Sequence, residues 1–260
     1  MPVAITRQVS PRFDDCERTC IARVPIDVGI ARSQHGAYVR ALRALGCEVI
    51  ELPAEPDLPD SVFVEDIALV LPEAAVITRP GADSRKPERD SVASALAPYR
   101  PLLHIVAPAR LDGGDVLVLG RMLYVGLSTR SGPAAIAQLN DLLGGFGYTA
   151  VGVEVRGCLH LKSAVTALGD DALLVNPDRV DVSRFEGFEC IEVDPAEPDA
   201  ANCLPVGGSV ICSAAYPRTR EKLERLGYRV VAIALDELAK AEGAVTCCSL
   251  LIPGDPPGGK

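Results

Sequence analysis

Val116-Leu117-Val118-Leu119-Gly120-Arg121-Met122-Leu123-Tyr124-Val125 sets two short apolar runs on either side of a glycine. Strands that follow each other so closely suit a hairpin. Residues 133–143 then read as a helix with Pro133 in its first turn, and residues 150–155 as a returning strand. The pattern is therefore strand, strand, helix, strand. It is read again over 67–71, 75–78, 88–97 and 102–106, and once more from Val165 through 172–175, a short helix over 180–185 and a strand over 190–193. A further unit begins at Cys203, with a helix over 218–226 followed by Gly227 and a strand over 229–233. The two chain ends supply a fifth: the N-terminal strand, a helix over 27–45 closed by Gly46, a strand over 47–52, and a strand-like run over 245–252 that pairs back onto the N-terminus.

Each unit, at roughly 45 residues, is too small to bury its own apolar face, so the units are expected to pack around a common axis. The result is a closed α/β propeller of five pseudo-symmetric ββαβ units. An open doubly wound sheet is the alternative. It is disfavoured because no glycine-rich phosphate loop follows a first strand and because the strands come in close pairs. No Gly, Ser or Pro tract divides the chain, which is read as one domain over 1–260.

Composition narrows the function classes. No run approaches the roughly 18 apolar residues of a membrane span, and the N-terminus lacks a basic segment followed by an apolar core, so a cytoplasmic protein without membrane contact is expected. A net charge of −9 argues against a nucleic-acid partner and would steer a small cation favourably. Nine cysteines, an odd number without paired spacing, suit a reducing compartment.

With only three histidines, the search for an acid or base is short. His35 falls within a helix and His104 within a strand, both structural readings, whereas His160 stands just before a strand, where loops deliver side chains to a site. Asp112-Gly113-Gly114-Asp115 reads either as turn chemistry or as a carboxylate that orients an imidazole. Glu65-Asp66 follows the apolar Val62-Phe63-Val64, a setting that costs desolvation unless a cation is met; a guanidinium is the natural partner. Cys247-Cys248 offers a nucleophile that would need help from elsewhere in the chain, while burial as small apolar side chains is the plainer reading of both.

Six short motifs occur in order: Leu58-Pro59-Asp60-Ser61-Val62-Phe63-Val64-Glu65-Asp66; Arg79-Pro80-Gly81-Ala82 with Ser84-Arg85; Leu111-Asp112-Gly113-Gly114-Asp115-Val116; Leu159-His160-Leu161-Lys162; Ala201-Asn202-Cys203; and Thr246-Cys247-Cys248-Ser249. Together they resemble the dimethylarginine dimethylaminohydrolases. The resemblance implies the pentein fold, a five-bladed α/β propeller, and the hydrolysis of a small methylated arginine to citrulline and a methylamine without a cofactor or metal. It makes Cys247 the nucleophile, His160 the acid and then the base, and Asp112 the residue that orients the histidine. Asp66 and Glu65 are implied to face the guanidinium, with Asp60 bracing that region. Arg85 and Arg130 hold the carboxylate in this scheme, and the backbone of Ala241 and of the loop near Arg18 reaches the α-amino group.

A homodimer is compatible with the resemblance, which sets no oligomeric state. Two positions depart from the family pattern: Glu242, where the family often has Asp, and Arg18, where it often has Leu. The rivals are a deiminase or amidinotransferase of the same fold, and a thiol protein using Cys247, Cys248 and His160 for zinc, which adjacent cysteines chelate poorly. Alternation along a strand would turn Cys248 away from Cys247.

Overall fold

The computed structural model describes residues 1–253. Five three-stranded sheets follow one another along the chain. β1 (Val3–Arg7) leads through α1 (Val28–Ala44) to β2 (Glu48–Leu52); β3 (Ala68–Val70) and β4 (Ala75–Ile77) lead through α2 (Arg89–Leu96) to β5 (Leu102–His104). The third sheet is β6 (Val116–Leu119) and β7 (Met122–Leu127), then α3 (Pro133–Leu143) and β8 (Thr149–Glu154). The fourth holds β9 (Val165–Ala167), β10 (Ala172–Val175) and β11 (Glu189–Glu192), joined by a single 3-10 turn, Val182–Phe185, where an α-helix had been expected. The fifth comprises β12 (Cys203–Val206), β13 (Ser209–Ser213), α4 (Pro217–Arg225) and β14 (Val230–Ile233). After α5 (Asp236–Ala239), β15 (Leu250–Ile252) returns to lie antiparallel against β1, so the first sheet is built from both ends of the chain.

Within a unit the first two strands are antiparallel and the third is parallel to the second: Leu117 faces Tyr124, and Tyr124 faces Val151. The parallel step needs a crossover, which the helix supplies. Local signals fix the helix ends. Asp27 caps α1 by accepting from the Ile30 amide at 2.9 Å, and Gly46, at φ +89°, ends it.

The apolar run at 116–125 has a simple physical origin. Val116, Leu123 and Val125 pack into a cluster shared with Leu69 and Val76 of the second sheet. Their alternating neighbours Leu117, Leu119 and Tyr124 join Val165 and Leu173 of the fourth. Each sheet is thus sandwiched between its neighbours, and both faces must be apolar. Three more clusters complete the ring: Leu174 with Val210, Ile211 with Ala4 and Tyr38, and Ile5 with Ala75. Every consecutive pair of sheets, including the last with the first, shares one cluster, as the closed propeller requires. No helix among the described residues is long and apolar enough to cross a membrane.

Candidate active site

The first strand of each unit is preceded by a polar residue at an equivalent place. Asp66 lies in the 3-10 turn before β3, Asp112 caps the turn before β6, His160 caps the turn before β9, Asn202 precedes β12, and Cys247 lies in the turn before β15. The fivefold repeat brings residues far apart in sequence to one end of the axis. Asp112 Oδ2 is 3.2 Å from His160 Nε2, and Asp66 Oδ1 is 3.8 Å from His160 Nδ1. Cys247 and His160 line the same small cavity, of about 20 Å³, together with Asp66, Arg85 and Arg130.

The two glycines of Asp112-Gly113-Gly114-Asp115 are needed for close approach, not for unusual dihedrals. A Cβ on Gly113 would overlap the Glu65 carbonyl oxygen, and one on Gly114 would fall 2.6 Å from His160 Nδ1 and 2.8 Å from Asp66 Oδ1. The Gly114 amide instead donates to Asp66 Oδ1 at 3.0 Å. Asp112 is fully buried behind the imidazole, accepting from the Gly81 amide at 2.7 Å, so it orients His160 without facing the cavity. Asp115 supports the histidine from the other side, accepting from the Leu161 amide at 3.0 Å and the Ser128 hydroxyl at 2.6 Å.

These carboxylates decide the protonation of the pair. Burial alone would discharge His160, but the charges of Asp66 and Asp115 and the bond to Asp112 outweigh it and push the imidazolium up to about 9. Burial works in the opposite direction on Asp66, yet the charges of His160 and Arg85 hold that carboxyl below its usual range. Burial, reinforced by Glu65 and Asp66, drives the Cys247 thiol well above its ordinary value. The resting pair is accordingly an imidazolium and a neutral thiol.

Cys247 does not lie on a strand. Residues Thr246–Cys248 form a 3-10 turn, and the strand begins only at Leu250. The strand expected over 245–252 is corrected in its first half, and alternation is not what separates the thiols. Within the turn the Cys247 sulfur accepts from the Ala244 amide at 3.4 Å, while Cys248 Sγ, fully buried, lies 3.6 Å from the Ala244 carbonyl. Asn202 holds the turn: its Oδ1 accepts from the Thr246 amide at 3.0 Å, and its Nδ2 donates to Thr246 Oγ1 and to the Lys162 carbonyl, each at 3.0 Å. The Thr246 hydroxyl donates to Glu65 at 2.7 Å, and Lys162 donates to the other Glu65 oxygen at 2.5 Å. Glu65 therefore lies beneath the Thr246–Cys248 turn and is not among the residues lining the cavity, unlike the position expected for it.

Of the paired acids, Asp66 meets the anticipated guanidinium, that of Arg85, whereas Glu65 meets the Lys162 ammonium instead. Arg85 donates to Asp66 at 2.5 Å, to both Glu88 oxygens at 2.8 and 3.0 Å, and to the carbonyls of Phe63 and Asp60 at 2.9 and 3.3 Å. One Nη1 hydrogen remains. Arg130 is less committed: Nη2 donates to Thr19 Oγ1 at 2.8 Å, and Nη1 lies 3.7 Å from Asp112, beyond hydrogen-bonding reach. Asp60 and Ala241 also line the cavity, with Asp60 accepting from the Glu17 amide at 3.1 Å.

The loop carrying Arg18 covers the site, but the Arg18 side chain does not point outward to water. It turns inward, 2 % exposed, to donate to the Asp14 carboxylate at 3.1 Å, so it puts no cation into the cavity. His35 is structural and buried, discharged by that burial to about 4. His104 is exposed at the end of β5. The zinc set of Cys247, Cys248 and His160 is not assembled. Among the described residues the group with metal-ligand spacing is Asp66, Asp112 and His160, which Arg85 and Arg130 already serve with positive charge. Sequence reasoning gave no role to Asn202, Lys162, Asp115, Thr246 or Glu88. All but Glu88 stand inside the quoted motifs, which was the available signal.

Comparison with known proteins agrees with this geometry. Residues 23–252 match the model of the family described as N,N dimethylarginine dimethylhydrolase, eukaryotic. The chain is 40% identical over 250 residues to the N(G),N(G)-dimethylarginine dimethylaminohydrolase of Streptomyces coelicolor, covering 95% of each chain. It is 38% identical over 226 residues to the enzyme of that name from Pseudomonas aeruginosa, covering 86% of this chain and 89% of the relative. A solved structure of the Pseudomonas protein, a cysteine-to-serine mutant complexed with citrulline, superposes with a TM-score of 0.91 at 35% identity, covering 96% of this chain and 98% of that one. On sequence and fold alike, the chain belongs to the dimethylarginine dimethylaminohydrolase family of pentein-fold enzymes.

Proposed function

We propose that this chain hydrolyses Nω,Nω-dimethylarginine or Nω-methylarginine to citrulline and dimethylamine or methylamine. The observation that carries the reading is one small cavity in which a thiol, an imidazolium and a buried carboxylate meet beside two arginines. The substrate guanidinium lies against Asp66. Its charge offsets the carboxylate field that keeps Cys247 protonated, so the thiol proton leaves to solvent as the substrate binds. The thiolate attacks the guanidinium carbon, and His160 gives its proton to the departing amine as the C–N bond breaks. An S-alkylthiouronium cation remains on Cys247. His160, now neutral, takes a proton from the attacking water and is an imidazolium again; collapse of the tetrahedral adduct breaks the C–S bond, and the adduct's hydroxyl proton passes to the departing sulfur, restoring the neutral thiol and releasing citrulline.

At the other end Arg130, with the remaining hydrogen of Arg85, takes the substrate carboxylate. The backbone of Ala241 and of the loop near Arg18 takes the α-ammonium, and Asp60, which accepts from the Glu17 amide, braces the cavity wall. Glu65 acts through the turn it supports. The nine free thiols fit a reducing, cytoplasmic setting.

The test is a panel of guanidines analysed by mass spectrometry. Dimethylarginine should yield citrulline and dimethylamine, and Cys247→Ser and His160→Gly should each abolish turnover. Ammonia release from unmodified arginine at a comparable kcat/KM would overturn the substrate assignment.

A further inference from the structure

We infer that Glu242 is a latch: its carboxylate holds the loop of residues 17–21 shut over the catalytic cavity, and its release opens that cavity to the larger chamber beside it. The backbone gives the first indication. After α5 the chain closes with the amides of Ala241 and Gly243 donating to the Leu238 carbonyl and that of Glu242 to Ala239, all at 3.0 Å. Glu242 takes the left-handed conformation, at φ +60°, the only residue other than glycine to do so among the described residues. Glycine or asparagine is the usual occupant of such a place. A glycine does stand next in the chain, but for another reason: a Cβ on Gly243 would overlap the Phe63 ring. The fold itself therefore gives no reason for a long acid at 242.

The side chain supplies one. Its two oxygens accept from consecutive amides of the covering loop, Thr19 at 2.5 Å and Cys20 at 2.8 Å, across more than 200 residues of sequence. Charge-assisted bonds of this length are among the stronger ones available to a carboxylate. That part of the loop has no strand or helix partner, and both residues are exposed. Its other ties are the Glu17 amide to Asp60, the Ser84 hydroxyl to Glu17, Arg130 to the Thr19 hydroxyl, and the inward Arg18 side chain to Asp14 at the base of the loop. Aspartate, shorter by one bond of about 1.5 Å, would not reach both amides from the same backbone.

The cavities show what the latch closes. The catalytic cavity, about 20 Å³, includes Glu17 and Glu242 in its wall. A water needs about 10–15 Å³ measured this way, so there is room for one or two waters and none for an amino acid. The adjoining chamber, about 380 Å³, is lined by Cys20, Ile21 and again by Glu242, Gly243 and Leu159. Glu242 and the loop tip are the partition between the two spaces.

The test compares the full-length protein with Glu242→Gly, Glu242→Gln and Glu242→Asp. Glycine suits the left-handed backbone, so that variant is expected to fold. Two readouts need no substrate: hydrogen exchange at the Thr19 and Cys20 amides, and alkylation of Cys247 by iodoacetamide followed by peptide mapping. Both should accelerate by about tenfold or more in Glu242→Gly, the effect of losing charge-assisted bonds, and by less in Glu242→Gln and Glu242→Asp. A kinetic arm, which alone rests on the proposed hydrolysis, should show KM for methylarginine rising by a larger factor than kcat falls. Exchange and alkylation rates in Glu242→Gly within twofold of the wild type would overturn the latch whatever the substrate. A Glu242→Asp protein with wild-type exchange would overturn the argument from reach.

Discussion

The strongest consequence of the site is that His160 is a stabilising cation, which a double difference in stability can measure. Its folded-state pKa of about 9 lies above the ordinary value of 6.5. At about 1.4 kcal/mol per pH unit this amounts to about 3 kcal/mol, needing no discount for exposure because the side chain is 7 % exposed. The sign follows from proton binding. Between pH 6.5 and about 9 the folded protein keeps a proton that the unfolded chain loses, so the contribution is complete below 6.5 and is lost as pH rises through 9. Other groups titrate in that window, which is why His160→Gln is the reference. Urea unfolding followed by far-UV circular dichroism suits a chain without tryptophan. The wild type should exceed His160→Gln by about 3 kcal/mol near pH 6, with the gap closing by about pH 10. The same imidazolium should give kcat/KM an alkaline limb near pH 9 as the general acid is lost. A stability gap that stays flat across this range, or an imidazole titration midpoint below about 7.5 by NMR, would refute the reasoning.

Arg85→Ala strands the buried carboxylates of Asp66 and Glu88 without a cation and should cost about 3–5 kcal/mol of unfolding free energy, measured by the same denaturation. Cys248→Ser should retain most of the activity lost in Cys247→Ser, because the Cys248 sulfur faces the Ala244 carbonyl inside the fold; the reverse result in a citrulline assay would exchange their roles. Asn202→Ala removes both side-chain bonds to Thr246 and should cost about 1–3 kcal/mol, with a fall in kcat exceeding any rise in KM as the nucleophile turn loosens. Arg130→Met should raise KM for methylarginine at least about tenfold, the effect of losing a charged contact, and should not weaken binding of a decarboxylated analogue.

The propeller was legible because its units repeat and because sheets buried on both faces leave continuous apolar runs. Pro133–Leu143 and Val116–Leu119 are found as read, each bounded by a proline or a glycine. The 3-10 turns at the axis were not legible. Thr246–Cys248 and Val64–Ile67 span three and four residues, too short for any period to show, and tertiary partners hold them: Asn202 in the first case, and in the second the Thr78 hydroxyl donating to the Asp66 carbonyl at 2.6 Å. The motifs located the site without assigning every task within it. Glu65 is placed by Lys162, whose charge requirement becomes visible only when the loops meet, and Arg18 by Asp14, a local pairing that hydropathy does not reveal.

The charges around the cavity explain why a site so well supplied with acids still performs nucleophilic chemistry. Four carboxylates face it, Glu17, Asp60, Asp66 and Glu242, against Arg85, Arg130 and the imidazolium of His160, a formal balance of −1. An arginine carrying its guanidinium, ammonium and carboxylate has a net charge of +1, so binding brings the wall to neutrality. A decarboxylated guanidine, at +2, would overshoot and, on the proposed binding mode, leave Arg130 without a partner. Burial contributes most to keeping Cys247 protonated, and of the carboxylates that face the cavity it is Asp66 that adds to it, together with Glu65 beneath the turn. A thiol kept neutral in this way reacts poorly with adventitious electrophiles and becomes nucleophilic when a cation settles against Asp66. Selectivity and activation are then one electrostatic event. It also follows that neutralising Asp66 by Asp66→Asn should lower the thiol pKa of the free enzyme while lowering kcat/KM for methylarginine, a divergence that alkylation rates and turnover measured on one preparation would show. An Asp66→Asn protein whose free thiol titrates as in the wild type would remove the basis for coupling the two.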